Sequence, residues 1–434
     1  MQTDTLPLLA TASLHRSLVN YRGRLVDVAQ FTATVQALLP HVPTAKFVIN
    51  LCENRYHFLL SFIVACLREQ ITLLPPNQTA GTLSDLQANY PDHQVFDDAR
   101  VERLLSLSPA DAASNAPEWR IAAERVVALT FTSGSTGIPQ AHSKTWRCLV
   151  RNAQLAAAEV LGGAGTNLVA TVPAQHVYGL ETTAISALVG ECAVFDGKPF
   201  FPLDVPLALA AMPEPRTLVT TPTHLRALVD AKIQLPALQR IVSATAPLAV
   251  ELAEQIERAW RVPVFEIYGC TEAGIMAMRR AIESPMWRTF TGGLLTVTDE
   301  GALYAAPQLS SGVPLQDIIE SVTPTTFYLR GRSTDMIKVA GKRLSLQELT
   351  QRLLAIDGVS DAIVFVPHAD ARPAALVVAS NRSAAEILAV LGNHIEAVFL
   401  PRPLILLDKL PRNAVGKLPQ SVLLEILDQH RKLP

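Results

Sequence analysis

The feature that most constrains the fold is a repeated alternation of short β-branched runs with longer amphipathic segments. Lys46–Leu51 reads as a strand, Arg55–Arg68 as a helix and Ile71–Pro75 as the next strand. The same pattern predicts further strands at Val126–Phe131, Asn167–Val172, Thr217–Thr221, Arg240–Ser243 and Val264–Tyr268. Between the last two, apolar residues recur at helical spacing over Leu248–Trp260. Strand–helix–strand repetition of this kind predicts parallel sheets in a layered α/β architecture.

Composition supplies a large core and excludes several classes of protein. Hydrophobic residues make up 49% of the 434 residues, which excludes a disordered chain. The formal net charge of −2 gives no support to a nucleic-acid partner. Five widely spaced cysteines without a CxxC pair fit a reducing cytoplasm. The N-terminus lacks a basic segment and the longest apolar run, Phe58–Leu67, is about half a membrane span, so we predict a cytoplasmic protein with no membrane span.

The pattern changes over the last hundred residues. We predict a large α/β domain over residues 1–330 and a small α+β domain over residues 331–434, with Pro307–Thr325 leading up to the boundary. In the small domain a helix begins at Ser345, and Glu348 three residues later completes a capping box. The remaining predicted elements are strands at Thr326–Leu329, Met336–Val339, Ala362–Val366, Ala374–Val378 and Pro403–Leu407, and a helix near Ala384–Val398.

The segment Phe131–Gln140, FTSGSTGIPQ, directly follows a predicted strand. Its glycines allow backbone N–H groups to approach an anion, and its hydroxyls donate further hydrogen bonds. No Gly-Lys-Ser/Thr ends the segment, so it is not a Walker loop. A flexible Ser/Gly linker is the alternative, and the position after a strand favours phosphate binding. The residues concerned are Thr132, Ser133, Gly134, Ser135, Thr136 and Gly137.

Three further segments carry polar or charged side chains at strand ends and turns, where they could contact a ligand. In EIYGCTEAG a strand ends in a glycine turn, followed by Thr271 and Glu272. Ligand sites lie at the carboxyl ends of parallel strands, although a carboxylate there is also an ordinary helix-dipole partner. Phe327–Ser345 carries several basic groups, and LPRNAVGKL places Lys417 after a glycine. Taken alone, such a lysine is most simply a solvated one.

The segments TSGSTG, YGCTEAG, GRSTDMIKVAGKRLS and LPRNAVGK, in this order, resemble the core motifs of the adenylate-forming superfamily. Its members include acyl-CoA synthetases, aryl-acid ligases and the adenylation domains of peptide synthetases. The resemblance extends from about Phe131 to Lys417. It implies the fold of those enzymes: a large multi-layer α/β domain followed by a small mobile α+β domain. It also implies a two-step reaction. A carboxylic acid attacks the α-phosphate of Mg²⁺-ATP to give an acyl-adenylate and pyrophosphate, and a thiol then accepts the acyl group.

The resemblance also implies roles for matching residues. Lys417 corresponds to the catalytic lysine that bridges the substrate carboxylate and the α-phosphate, Thr271 contacts that phosphate, and Glu272 binds Mg²⁺. His176 matches a position beside the acyl pocket, with a core or turn histidine as an equal alternative. The residues implied for ATP are Thr132, Ser133, Gly134, Ser135, Thr136 and Gly137 at the β- and γ-phosphates, Tyr268, Gly269, Thr245, Ala246 and Pro247 around adenine, and Asp317 and Arg332 at the ribose.

Several positions depart from the family pattern. Gln140 stands where a lysine is usual, and Lys144 either compensates for it or is solvated. Thr245 replaces the second glycine of a Gly-Gly-Ala-Pro turn, and its side chain narrows the adenine or acyl pocket. Thr334 occupies the usual hinge position, where domain rotation is still expected. Trp287 lines a substrate pocket or, as we favour, the core.

The compact length and the HVYGLE segment resemble ligases of aryl-polyene and xanthomonadin-type pigment pathways. Those enzymes load an aryl acid, such as a hydroxybenzoate-like acid, or a fatty acid onto an acyl carrier protein, which we expect as the acceptor here. Two alternatives stay open: an acid–CoA ligase with the same first step, and a catalytically lapsed nucleotide-binding protein. Retention of Glu272, Asp317 and Lys417 together argues against the lapsed protein.

Overall fold

Two sheets with parallel cores organise most of the chain. The computed structural model describes residues 4–10, 13–107, 117–132, 140–298, 301–332, 336–339, 342–368, 371–393, 395, 397–412 and 418–431. The strands of the described residues are β1 Thr5–Pro7, β2 Ser17–Tyr21, β3 Arg24–Asp27, β4 Phe47–Asn50, β5 Ile71–Leu74, β6 His93–Phe96, β7 Arg120–Ala122, β8 Val126–Thr132, β9 Gln140–Thr145, β10 Asn167–Ala170, β11 Ala193–Phe195, β12 Arg216–Thr220, β13 Arg240–Ser243, β14 Val264–Cys270, β15 Gly274–Arg279, β16 Trp287–Thr289, β17 Leu294–Thr298, β18 Gly301–Ala305, β19 Val313–Leu315, β20 Asp317–Thr323, β21 Thr326–Arg332, β22 Met336–Val339, β23 Lys342–Ser345, β24 Val359–Phe365, β25 Ala374–Ala379 and β26 Leu404–Leu406.

Helices connect most of the parallel strands. The α-helices of the described residues are α1 Val28–Leu38, α2 Arg55–Leu67, α3 Ala80–Asn89, α4 Asp98–Leu107, α5 Trp146–Leu155, α6 Val177–Gly179, α7 Ser186–Val189, α8 Asp204–Ala210, α9 Pro222–Asp230, α10 Val250–Trp260, α11 Leu346–Leu354, α12 Ala384–Gly392 and α13 Gln420–Arg431. Two π-helical segments, Ala156–Leu161 and Leu180–Ile185, continue α5 and join α6 to α7. Short 3₁₀ turns lie at Leu39–His41 and Ala397–Phe399. No described helix is long and apolar enough to cross a membrane.

The larger sheet has eleven strands in the order β20-β21-β16-β15-β14-β13-β12-β10-β11-β2-β3. Its six strands from β14 to β2 run parallel, and β15 turns back antiparallel to β14. The second sheet has the order β6-β4-β5-β8-β9, in which β9 is an antiparallel edge strand. Smaller sheets are formed by β1-β7, β17-β18-β19, β22-β23 and β24-β25-β26. The α/β prediction is therefore confirmed.

Helix α2 connects the two large sheets. Its residues are buried from Arg55 to Cys66, as expected for a helix that is apolar on all sides. The Asn54 side chain caps its first turn by accepting from the amides of Tyr56 and His57. The Arg55 guanidinium is 1% exposed and donates to the carbonyls of Ala170, Val172 and Gly197, at the carboxyl ends of β10 and β11. A buried cation thus ties the helix after β4 to the larger sheet.

The C-terminal elements bury their own apolar residues. Helices α11 and α12 pack on β24, β25 and β26 around Leu349, Leu353 and Ile387, while α13 covers other residues of these strands with Leu423 and Leu427. The helix predicted near Ala384–Val398 is shorter, because it ends at Gly392 before a 3₁₀ turn.

The structure bears on the predicted domain boundary and on the segment that leads up to it. Pro307–Thr325, predicted as the approach to a domain boundary, contains the whole of β19 and β20, so it belongs to the sheets. The boundary at residue 330 stays a prediction, and β21 runs through it to Arg332.

All five cysteines are free thiols, consistent with the predicted lack of disulfides.

We expect Arg55→Met to lower the free energy of unfolding by about 3 kcal/mol, because it leaves buried carbonyls without a donor. Urea denaturation of the full chain measures this change. Arg24→Met, at an exposed position of β3, is the matched control and should leave the midpoint nearly unchanged. Equal midpoints for the two variants would contradict the role assigned to Arg55.

Candidate active site

A hairpin fixes both ends of the predicted phosphate loop. Strand β8 leads into it and β9 leads out, with Thr132 and Gln140 as register partners. Ser133, Gly134, Ser135, Thr136 and Gly137 lie outside the described residues. The backbone of Thr132 closes β8. The structure therefore locates the two ends of the loop, and its phosphate contacts remain a prediction.

The turn between β14 and β15 carries Thr271 and Glu272. Thr271 is half-buried, and the Glu272 side chain is 47% exposed. The turn closes at Gly274, whose φ of +80° is a left-handed conformation that favours glycine. A Cβ at Gly274 would lie 2.2 Å from Glu181 Oε1 and 2.3 Å from Asn152 Nδ2. The turn is thus pressed against two buried side chains.

Strand β9 meets this turn from the other sheet. His142 and Lys144 are two residues apart on β9 and so share a face. His142 Nδ1 lies 3.6 Å from Glu272 Oε1, and Lys144 Nζ donates to the Glu272 carbonyl at 3.1 Å. Lys144 is 1% exposed, so of the two alternatives left open for this residue the solvated lysine is excluded. The phosphate-loop hairpin and the Thr271–Glu272 turn are therefore in direct contact.

Three of the residues predicted to bind the nucleoside lie together near the same, carboxyl end of β14. The Tyr268 hydroxyl donates to Asp317 Oδ2 at 2.7 Å. Asp317 opens β20 and is the register partner of Arg332, the last residue of β21. The Tyr268 ring is largely buried and lies 5.7 Å from the Trp287 ring, centroid to centroid. Trp287 is itself buried with the Arg279 guanidinium 4.5 Å above it, which favours the core interpretation of that residue.

The Thr245–Pro247 turn follows β13 at the carboxyl end of the parallel strands. Thr245 has φ of +77°, a conformation that is uncommon for a β-branched residue. The turn is anchored where the Leu248 amide donates to buried Glu266 Oε1 at 2.8 Å. Arg279 pairs with the other Glu266 oxygen at 2.7 Å. Burial raises the pKa of the Glu266 carboxyl, and Arg279 opposes this rise. Ala246 is half-buried and Pro247 is exposed, and Gly269 is an exposed residue of β14, the strand that pairs with β13.

His176 begins the helical segment that contains α6. It is half-buried, and its Nδ1 accepts from the Tyr178 amide at 3.3 Å, so it caps this segment. The Tyr178 hydroxyl donates to the Val242 carbonyl of β13 at 2.9 Å. The segment then widens into the π-helical turn Leu180–Ile185, a form often found at functional sites. The role of His176 at an acyl pocket stays a prediction.

The sequence motifs do not identify the buried polar groups behind the Thr271–Glu272 turn. Asn152 Nδ2 donates to Glu181 Oε1 and to the Ala273 carbonyl, both at 2.9 Å. The Ile275 amide donates to Glu181 Oε2 at 3.0 Å, and Gln308 Nε2 donates to Asn152 Oδ1 at 2.9 Å. A glutamate inside the apolar run VYGLETTAISALV was the available sequence signal. Glu181 is the last residue of the HVYGLE segment, but the resemblance carried by that segment assigns it no role.

Charge in this network is balanced by nearby groups. Glu181 is fully buried, and burial raises the pKa of its carboxyl. The positive charge of Lys144 and the hydrogen bonds from Asn152 and Ile275 oppose the rise.

Burial likewise raises the pKa of all five cysteine thiols, to about 11 for Cys148 and about 12 for Cys270. These thiols are therefore protonated at neutral pH and poor nucleophiles.

In the described ranges no group of three or more His, Cys, Asp or Glu side chains is arranged to hold a metal ion. Glu272, half-exposed on its turn, offers one hard oxygen donor. That fits Mg²⁺, which proteins usually hold through one or two carboxylates together with substrate phosphates. Lys417 lies outside the described residues, and only the backbone of Arg332 is described.

Comparison with known proteins gives a consistent family. The family model described as "AMP-binding enzyme" matches residues 41–299, more than half of the chain. The 4-coumarate–CoA ligase of Halorhodospira halophila is 30% identical over 316 residues, which are 68% of this chain and 76% of that protein. The 4-coumarate–CoA ligase of Rhodobacter capsulatus is 28% identical over 241 residues, 54% of this chain and 59% of that protein.

Solved structures resemble nearly the whole chain. The O-succinylbenzoate coenzyme A synthetase of Bacillus subtilis, in complex with AMP, superposes with a TM-score of 0.81 at 18% identity and covers 97% of this chain and 98% of that one. An anthranilate CoA ligase in complex with anthranoyl-AMP gives a TM-score of 0.80 at 17% identity, with 98% of each chain covered. These likenesses show that the fold is that of adenylate-forming enzymes, as the sequence predicted.

We expect Gly274→Ala to lower the free energy of unfolding by about 2–4 kcal/mol, through a strained φ and a clash of its Cβ with Glu181 and Asn152. Thermal or urea denaturation measures the loss. Gly23→Ala is the matched control, because Gly23 has φ of +81° with no atom within 4 Å of its added Cβ. A Gly274→Ala loss no larger than that of Gly23→Ala would show that the contacts with Glu181 and Asn152 are unimportant.

Proposed function

Because this chain belongs to the AMP-binding enzyme family, we propose that it joins a carboxylic acid to a thiol in two steps that consume ATP. In the first step the acid carboxylate attacks the α-phosphate of ATP, forming an acyl-adenylate and releasing pyrophosphate. In the second step the thiol attacks the acyl carbon, and AMP leaves. The catalytically lapsed alternative has no support in the geometry of the Thr271–Glu272 turn.

The observation that carries this proposal is the contact between β9 and the turn after β14. It brings the hairpin of the predicted phosphate loop within hydrogen-bonding distance of the turn bearing Thr271 and Glu272, through Lys144 and the Glu272 carbonyl. Phosphoryl transfer depends mainly on positioning and on electrostatic stabilisation of the phosphoryl oxygens. A hydroxyl-rich loop, a threonine and a carboxylate at one junction are suited to that task.

Each predicted residue has a part in the first step. Glu272 would hold Mg²⁺, which when bound neutralises phosphate charge. Thr271 donates to the α-phosphate, and Lys417, a compact point charge, bridges it to the substrate carboxylate. Asp317, which opens β20 and accepts from the Tyr268 hydroxyl, would accept from the ribose hydroxyls. The remaining nucleotide contacts come from the loop Thr132–Gly137 and the Thr245–Pro247 turn.

Two lines of support bear on the substrates. The names of the 4-coumarate–CoA ligase relatives support an aryl acid as substrate and CoA as acceptor. Resemblance to pigment-pathway ligases supports a hydroxybenzoate-like or fatty acid and an acyl carrier protein. An aryl acid is common to both, so we propose an aryl acid. The thiol belongs to the acceptor, since the pKa values of this chain's own cysteines are raised by burial.

Acid-dependent exchange of pyrophosphate into ATP tests the first step. We expect exchange with at least one acid from a panel of hydroxybenzoates, coumarate and fatty acids, and none without acid. An absence of exchange with every acid would contradict the proposed function. Once an acid is found, supplying CoA or a phosphopantetheinylated carrier protein and detecting the thioester by mass spectrometry identifies the acceptor.

We expect Lys417→Ala to lower the rate of adenylate formation by at least about 100-fold while leaving transfer from chemically prepared acyl-adenylate nearly unchanged. The reason is that the lysine acts on the carboxylate and α-phosphate, which meet only in the first step. Single-turnover assays of each half-reaction measure the two effects. Lys409→Ala, at an exposed position just before the LPRNAVGK segment, is the control. Equal loss in both half-reactions would contradict this assignment.

A further inference from the structure

Three buried side chains hold the backbone of the turn that carries Thr271 and Glu272. Lys144 Nζ donates to the Glu272 carbonyl at 3.1 Å. Asn152 Nδ2 donates to the next carbonyl, that of Ala273, at 2.9 Å. Glu181 Oε2 accepts from the Ile275 amide at 3.0 Å. The peptide groups on both sides of Gly274 are therefore held by side chains rather than by water.

These side chains come from distant parts of the chain. Lys144 lies on β9 of the smaller of the two large sheets, Asn152 on α5, and Glu181 on the π-helical segment before α7. All three are at most 1% exposed. Asn152 also donates to Glu181 Oε1 at 2.9 Å, and the positive charge of Lys144 acts on the Glu181 carboxyl, so the three side chains form one cluster behind the turn. A shift of any of these elements is thereby transmitted to the turn.

Stability alone does not account for this cluster. Burying a lysine and a glutamate costs desolvation energy that well-packed apolar residues avoid. What the cluster adds is direction, because hydrogen bonds fix the orientation of peptide groups and apolar contacts do not. The turn so oriented bears Thr271, predicted to contact the α-phosphate, and Glu272, predicted to bind Mg²⁺.

We propose that Lys144, Asn152 and Glu181 are positioning residues that hold the Thr271–Ile275 backbone from the buried side, so that Thr271 and Glu272 face the reacting phosphates. This inference rests on the proposed function. None of the three residues needs to touch the substrate. Their effect on the reaction passes through the peptide groups of the turn.

The test uses Lys144→Met, Glu181→Gln and the double variant in the full chain. The single variants should lower kcat for pyrophosphate exchange by about 10- to 100-fold and leave the KM of the acid within about threefold, since a displacement of about 1 Å at a reacting group costs that much. The Mg²⁺ concentration for half-maximal exchange should rise, because Glu272 is displaced. Glu257→Gln is the matched control: Glu257 is a largely buried carboxylate on α10 that accepts from the Val264 amide and pairs with Arg280, away from the turn.

The double variant separates positioning from a structural role. Removing both charges relieves the unpaired buried charge that each single variant leaves, so the urea midpoint should return toward that of the wild type. We expect kcat to stay low even so, because the donor to the Glu272 carbonyl is still missing. Recovery of kcat together with stability would show that the cluster is merely structural.

Amide hydrogen exchange provides a measurement that does not need an active enzyme. Exchange in peptides covering residues 271–278 should accelerate in Glu181→Gln and Lys144→Met, and stay at the wild-type rate in Glu257→Gln. Unchanged exchange in those peptides, or equal acceleration throughout the chain, would overturn the inference. If the wild type shows no pyrophosphate exchange with any acid, the proposed function fails, while hydrogen exchange still decides whether these residues hold the turn.

Discussion

The hydrogen bond from Lys144 to the Glu272 carbonyl joins the two large sheets at the point where the predicted chemistry takes place. Lys144 lies on the edge strand β9, and Glu272 lies in the turn after β14, the last of the parallel strands in the other sheet. Without this bond the hairpin of the phosphate loop and the turn would be related by the 3.6 Å approach of His142 Nδ1 to Glu272 Oε1 and by apolar packing beneath them. Packing sets a distance between sheets but leaves several orientations nearly equal in energy. A directional bond to a buried cation selects one.

The same lysine places a positive charge near the fully buried carboxylate of Glu181, and the two charges compensate each other. Glu181 without Lys144 would place uncompensated negative charge behind a turn expected to face phosphates. With Lys144 present, the opposite charges of Lys144 and Glu181 largely cancel. Both side chains form hydrogen bonds with peptide groups of the turn. The near-neutral chain needs no basic patch at the site for the same reason: its anions are expected to be bound by hydroxyls, backbone amides, Mg²⁺ and Lys417.

Sequence patterns predicted the parts of the fold that depend on local periodicity. The alternation of strand and helix, the α/β class and strand β13 at Arg240–Ser243 were all predicted and are confirmed. The proximity of Tyr268 and Asp317 followed from the motifs, since residues that serve one ligand must converge. Glu181 and Asn152 could not be predicted in this way, because their partners are distant in sequence and lie on other elements: Ile275 is 94 positions from Glu181, and Gln308 is 156 from Asn152. The sequence shows that position 144 carries a charge. Whether that lysine is solvated or buried depends on what packs against β9, which the sequence of the strand does not reveal.

Thr245 shows how a departure from a motif can preserve what the motif encodes. The family's turn usually has glycine there, and the structure gives the physical reason: the position has φ of +77°, which glycine adopts without strain. Threonine retains this conformation at a cost of about 1–3 kcal/mol. The turn withstands that cost because Leu248, at its end, is held by buried Glu266, which Arg279 in turn fixes. The backbone of the motif is therefore determined by its anchors, which leaves the side chain at position 245 free to differ at the carboxyl end of β13.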